Sequence, residues 1–119
     1  MAVLMREEDR RRFLRVRVNA PLRYQLIGAQ GFSNTVLENI SLGGIGFIND
    51  NFIPPMTKLS LEVELLSRVL YLRGKLAWAA SLSHSNKYHL GVEFSDVNPE
   101  DKKYLYDFLE IQAGSRKHN

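Results

Sequence analysis

Val16-Arg17-Val18-Asn19-Ala20-Pro21-Leu22-Arg23-Tyr24-Gln25-Leu26 alternates along its whole length. Val16, Val18, Ala20, Leu22, Tyr24 and Leu26 share one face, and Arg17, Asn19, Pro21, Arg23 and Gln25 the other. A period of two with one apolar face marks a half-buried β-strand. The next segments keep to strands. The Gly28-Ala29-Gln30-Gly31 turn leads into a second strand over 32–39, in which Phe32, Val36 and Ile40 oppose Thr35, Leu37 and Asn39, so that a hairpin is expected. Gly43-Gly44-Ile45-Gly46-Phe47-Ile48 reads as a tight turn into a short third strand, and 49–55 as a loop with two prolines.

Further on, Leu59, Leu61, Val63 and Leu65 alternate with Lys58, Ser60, Glu62 and Glu64 in a fourth strand that turns near Ser67-Arg68. A long fifth strand spans 69–80. After a polar loop over 81–87, a sixth sends Tyr88, Leu90, Val92 and Phe94 to one side. Six short strands imply a small antiparallel barrel or sandwich. The period then changes. Asn98 suits a helix cap, Pro99 the first helical position, and acids fill the first turn; Leu105, Phe108, Leu109 and Gln112 recur three or four residues apart. The expected organisation is a single domain: a flexible basic arm over 1–15, β-strands over 16–97, one amphipathic helix over 98–112 and a tail over 113–119.

Upstream of the first strand lies Arg10-Arg11-Arg12-Phe13-Leu14-Arg15. Seven of the ten arginines precede residue 24, and no lysine does. The preference matters because a guanidinium offers a planar fork of donors that matches phosphate and guanine edges, whereas an ammonium is a point charge. The net charge of +3 is therefore concentrated at the front of a body in which acids and bases nearly balance. That distribution fits a localised anionic ligand better than a long polyanion.

The same composition removes several classes. With 119 residues and no cysteine, the chain is long enough to bury a core and has no disulfide, thiolate metal site or cysteine nucleophile. The absence of cysteine suits a reducing compartment, so a cytoplasmic location is expected. Ala2-Val3-Leu4-Met5 is too short for a signal-peptide core, and no later run approaches a membrane span, so neither export nor insertion is expected. His84, His89 and His118 are too scattered for a metal site or a triad and read as bystanders. Ser41 lacks the G-x-S-x-G elbow, and Gly43-Gly44-Ile45-Gly46 is not the dinucleotide-binding G-x-G-x-x-G fingerprint. No enzymatic activity, metal or cofactor is expected.

Two short patterns remain: Arg11-x-x-x-Arg15 before the first strand, and Asn39-x-Ser41-x-x-Gly44 after the second. Each alone is weak, since arginine runs are common and Asn-Ser-Gly clusters often only satisfy turn backbone. Together with Leu42-Gly43-Gly44-Ile45-Gly46-Phe47 and Leu90-Gly91-Val92-Glu93-Phe94, however, they give a chain that resembles the PilZ domain family over residues 8–109. The resemblance implies an all-β fold with a C-terminal helix, a six-stranded antiparallel β-barrel, and binding of the bacterial second messenger cyclic diguanylate (c-di-GMP).

By that resemblance Arg11 and Arg15 are the family's paired arginines, and Asn39, Ser41 and Gly44 its second motif. An arginine can fork onto guanine O6 and N7, bond a phosphate or stack on a base. Asn39 oxygen can accept from a guanine N–H edge, the Ser41 hydroxyl can bond base or phosphate, and Gly44 allows close approach. Asn39 stands where the family also uses Asp, giving up a charged acceptor. Arg10 occupies the position associated with taking up an intercalated ligand dimer. Trp78, the sole tryptophan, is either a stacking platform for guanine or a core or rim aromatic.

The expected function is a cytoplasmic receptor in which ligand orders the arginine arm over the barrel and thereby controls a downstream partner. The process is not legible, the family's range being motility, surface polysaccharide and biofilm, or virulence. The alternative is a PilZ-like adaptor for protein contacts without a nucleotide ligand. A barrel for single-stranded nucleic acid is a third reading and the less expected one.

Overall fold

The alternation that opens the chain becomes the first stave of a closed barrel. The computed structural model describes the backbone of residues 14–117, with side chains as far as Gly114. Strands β1 (Val16–Leu26), β2 (Ser33–Ile40), β3 (Gly44–Asn49), β4 (Lys58–Leu65), β5 (Arg68–Ser81) and β6 (Tyr88–Val97) precede helix α1 (Pro99–Lys117). All neighbours are antiparallel, and the order β1-β2-β3-β6-β5-β4 closes through pairing of β1 with β4. Closure gives every strand two neighbours and leaves no edge strand.

Alternation fills the interior. Leu59, Leu61, Val63 and Leu65 of β4 are all buried, and Leu22 opposite Val63 and Leu72 opposite Leu61 continue the core to either side. Phe47 is fully enclosed beside Tyr24, whose hydroxyl donates to Asn49 Oδ1 at 3.0 Å, pairing two buried polar groups.

On β2 the expected face is reversed in part. Phe32 and Val36 are exposed, whereas Leu37, placed by alternation on the outside, is wholly buried with Ile40. The cause is a pair of register shifts. β1 gains a residue between Arg17 and Ala20 against β2, and β2 gains one between Leu37 and Asn39 against β3. Such bulges let residues three apart face the same way and break a strict period of two.

Helix α1 starts as expected. The Asp101 N–H donates to Asn98 Oδ1 at 2.8 Å, and Asn98 Nδ2 donates back to Asp101 Oδ2 at 2.9 Å, a reciprocal cap on the first turn. Asp101 also accepts from Arg68 Nη2 at 2.9 Å and from the Tyr71 N–H at 3.3 Å, while the Tyr104 hydroxyl donates to Leu65 O at 2.9 Å. These contacts fasten the helix to the β4–β5 hairpin, and Leu105, Phe108 and Leu109 join the core. The helix passes through Gly114 to Lys117, where the sequence pattern predicts a tail from 113.

Candidate functional site

Arg15 is the last residue before β1, which begins at Val16. Its cross-strand neighbourhood is the end of β2, because Val16 pairs with Ile40 and Arg17 with Asn39. The guanidinium therefore reaches both polar residues of the second motif: Nη1 donates to Asn39 Oδ1, and Nη2 donates to Ser41 Oγ at 3.3 Å. Burial of the guanidinium lowers its pKa from the ordinary value, which still leaves it charged at neutral pH. Asn39 Oδ1, the oxygen expected to meet a guanine edge, already accepts from Arg15. It keeps one lone pair, and Nδ2 adds donors.

Ser41 is buried and organises the turn into β3. Its N–H donates to Gly44 O at 2.9 Å, and its Oγ accepts from the Gly43 N–H at 3.2 Å. The turn is tied to β6 because the Phe94 N–H donates to Gly43 O at 2.8 Å. Gly44 is required by this closeness: a Cβ would come within 2.2 Å of Val92 O.

The cross-strand register builds a trough beside the arginine. Asn39 pairs with Gly46, Gly46 with Gly91, and Gly91 with Trp78, a single row over β2, β3, β6 and β5. Side chains stand at the ends and none in the middle. Three strand spacings separate the end backbones, about 14 Å, and both end residues lean inward. A Cβ at Gly46 would lie 2.8 Å from Asn39 Oδ1, and one at Gly91 would lie 2.3 Å from Trp78 Cε2 and Nε1. Trp78 is 47% exposed, at the rim of the barrel rather than in its core.

The resulting cleft has a volume of about 470 Å³, a size common among small-molecule sites. Arg15, Asn39, Ser41, Gly44 and Trp78 all line it, together with Gly91, Glu93 and Phe94. Five of the seven residues singled out in the sequence thus meet in one place. Arg10 and Arg11 lie outside the described residues, as does His118. Gly46, Gly91 and Glu93 were given no role in the site. The signal for the two glycines was present, since a glycine within a strand marks close approach of a neighbour, but identifying that neighbour required the register.

His89, read as a bystander, instead touches the cleft wall. Its ring meets that of Trp78 at 5.0 Å in a T-shaped arrangement of 84°. His89 Nε2 lies 3.1 Å from Glu38 Oε1, although buried and without the alignment of a hydrogen bond. Among the described residues no group of three His, Asp or Glu side chains is placed to hold a metal ion, and no helix is long and apolar enough to cross a membrane.

A closed six-stranded antiparallel barrel with a C-terminal helix and a polar cleft at the β2–β3 turn defines a class of small β-barrel domain. Residues 9–110 match the sequence model of the PilZ domain, and the chain belongs to that family. Solved structures agree in fold. The Bacillus subtilis inhibitor of motility (MotI/DgrA) superposes with a TM-score of 0.77 at 20% identity, over 89% of this chain and 52% of that one. The PilZ domain of Escherichia coli YcgR with c-di-GMP gives 0.66 at 19% identity, over 92% of this chain and 98% of that one. The Borreliella burgdorferi PlzA protein in complex with c-di-GMP gives 0.61 at 16% identity, over 90% and 54%. The chain spans about half the length of MotI and of PlzA. No curated protein matches the chain significantly.

Proposed function

We propose that this domain is a cytoplasmic receptor for c-di-GMP in which ligand draws the arginine-rich segment onto the barrel and so changes the surface offered to a downstream protein. The observation that carries the reading is the Arg15 guanidinium bonded to both Asn39 and Ser41 at the mouth of the cleft. One half of the arginine motif and both polar members of the second motif then act on the same volume.

The chemistry suits the ligand. The guanidinium supplies a cation and forked donors for phosphate or a guanine edge. Asn39 supplies an acceptor and donors, Gly44 permits close approach, and the Trp78 indole, lying over Gly91, offers an aromatic ring to a base. Arg11 joins Arg15 on the phosphates, and Arg10 adds the cation that admits an intercalated dimer. Neutralisation of this cluster by phosphate removes its self-repulsion and stabilises residues 6–15 against the barrel. Binding and change of shape account for the domain without a chemical step.

Calorimetric titration with c-di-GMP, beside the double variant Arg11→Ala and Arg15→Ala, tests the reading. Strong heats for the wild type and their loss in the variant are expected; identical heats would overturn it. In the same titration Arg10→Leu lowers stoichiometry from two ligands per chain to one, and equal values of one in both proteins reject the dimer. Amide exchange of residues 6–15 slows on ligand addition, and equal protection without ligand rejects the ordering step.

A further inference from the structure

We propose that His89 and Glu38 form a brace that fixes Trp78 as one wall of the cleft and ties it to the opposite wall. The inference rests on the receptor reading for its consequence in binding, but its structural content stands on the unliganded protein.

The two middle positions of the trough carry no side chain of their own, and the Asn39 amide and the Trp78 indole lean over them. Between Asn39 and Trp78 lie only Gly46 and Gly91, so no side chain within that row holds the two walls apart. Trp78 is half exposed and touches the floor at Gly91. An indole held on one side alone has rotamers that swing it out of the cleft, and ordering it on ligand arrival costs entropy.

The missing support comes from the next row. His89 lies two residues before Gly91 on β6 and therefore projects from the same face. Its ring packs against Trp78 at 5.0 Å and 84°, an arrangement in which the edge of one ring meets the face of the other. On the far side, His89 Nε2 stands in contact with Glu38 Oε1 at 3.1 Å, without the alignment of a hydrogen bond. Glu38 is the residue before Asn39 and falls within the β2 register shift. The chain Glu38–His89–Trp78 thus crosses β3 one row away from the glycines and links the strand bearing Asn39 to the strand bearing Trp78. Both rings are set before ligand enters, and the aperture between the walls is held from outside it. His89 and Glu38 are positioning residues, since neither lines the cleft.

Because Trp78 is the sole tryptophan, its spectra report the brace directly. The experiment records the near-UV circular dichroism of the indole, its fluorescence anisotropy without ligand, and the Kd for c-di-GMP. The proteins are wild type, His89→Ala, His89→Phe and Glu38→Ala, each checked by far-UV circular dichroism. His89→Ala should diminish the indole band, lower the anisotropy and weaken c-di-GMP binding by about tenfold, the loss expected for a disordered stacking partner. His89→Phe keeps the ring contact and should restore the spectra and most of the affinity, while Glu38→Ala should give a smaller loss. Unchanged indole signals in folded His89→Ala would overturn the brace. A wild type that fails to bind c-di-GMP sinks the receptor reading instead, and the ligand-free spectra still decide for or against the brace.

Discussion

Asn39 rests on the backbone of Gly46: a Cβ at position 46 would come within 2.8 Å of its Oδ1 and 2.9 Å of its Nδ2. Gly46→Ala therefore forces the Asn39 amide outward and breaks its bond from Arg15. The far end of a side chain can give way, so the cost to folding is small, about 1 kcal/mol or less. Binding should suffer more. We expect an approximately tenfold rise in the Kd for c-di-GMP, since a charge-assisted contact and its geometry are lost together. Calorimetry and urea denaturation of the same variant separate the two effects, and a fold lost before binding would refute this account.

Leu66 occupies a left-handed conformation, with φ of 56°, in the two-residue turn between the paired Leu65 and Arg68. It is 75% exposed, so its side chain contributes little packing. A positive φ at the first central position of such a hairpin favours glycine. Leu66→Gly should stabilise the protein by about 1 kcal/mol, the order of the left-handed penalty for a residue with a Cβ, and leave ligand affinity unchanged. Urea midpoints measure it, and a destabilised variant would contradict the backbone argument.

Asp101 is 3% exposed and accepts from Arg68, Asn98 and the Tyr71 N–H. Asp101→Ala removes the helix cap partner and leaves a backbone donor and a guanidinium without their acceptor. Loss of a buried, charged hub of this kind costs about 3 kcal/mol. The expected result is a large fall in the urea midpoint. Asp101→Asn, which keeps the shape but loses the charge, should lie between the wild type and Asp101→Ala.

Much of this fold was legible because alternation is a local property. Val16 to Leu26 and Leu59 to Leu65 carry their register in the order of residue types, and Asn98-Pro99 announces the helix. β2 was misread where bulges interrupt the period, and a bulge is set by partner strands rather than by the strand itself. The helix outran its expected end because Gly114 is tolerated within it. Arg15, Asn39, Ser41 and Gly44, which line one cleft, were singled out through the resemblance to the PilZ domain family and not by spacing alone. Gly46, Gly91 and His89 were not given parts in the cleft, because their roles exist only across strands. The place of Trp78 at the rim, over Gly91, likewise depends on the pairing of β5 with β6.

Arg15 reaches two acceptors at once, Asn39 Oδ1 and Ser41 Oγ, through different terminal nitrogens. Arg15→Lys keeps the charge and removes the fork. A lysine ammonium has three donors on a single atom and cannot reproduce the planar, two-point geometry. If the role of Arg15 were only to attract phosphate, the substitution would leave affinity nearly intact. If it orients Asn39 and Ser41 while meeting the ligand, affinity should fall by about tenfold or more, the worth of one charged, directional hydrogen bond. The salt dependence of binding separates the cases further, because it follows the number of charges meeting phosphate rather than their geometry. We therefore expect titrations of Arg15→Lys at low and high salt to give a curve parallel to that of the wild type and displaced to weaker binding. Superposed curves would reduce Arg15 to a point charge.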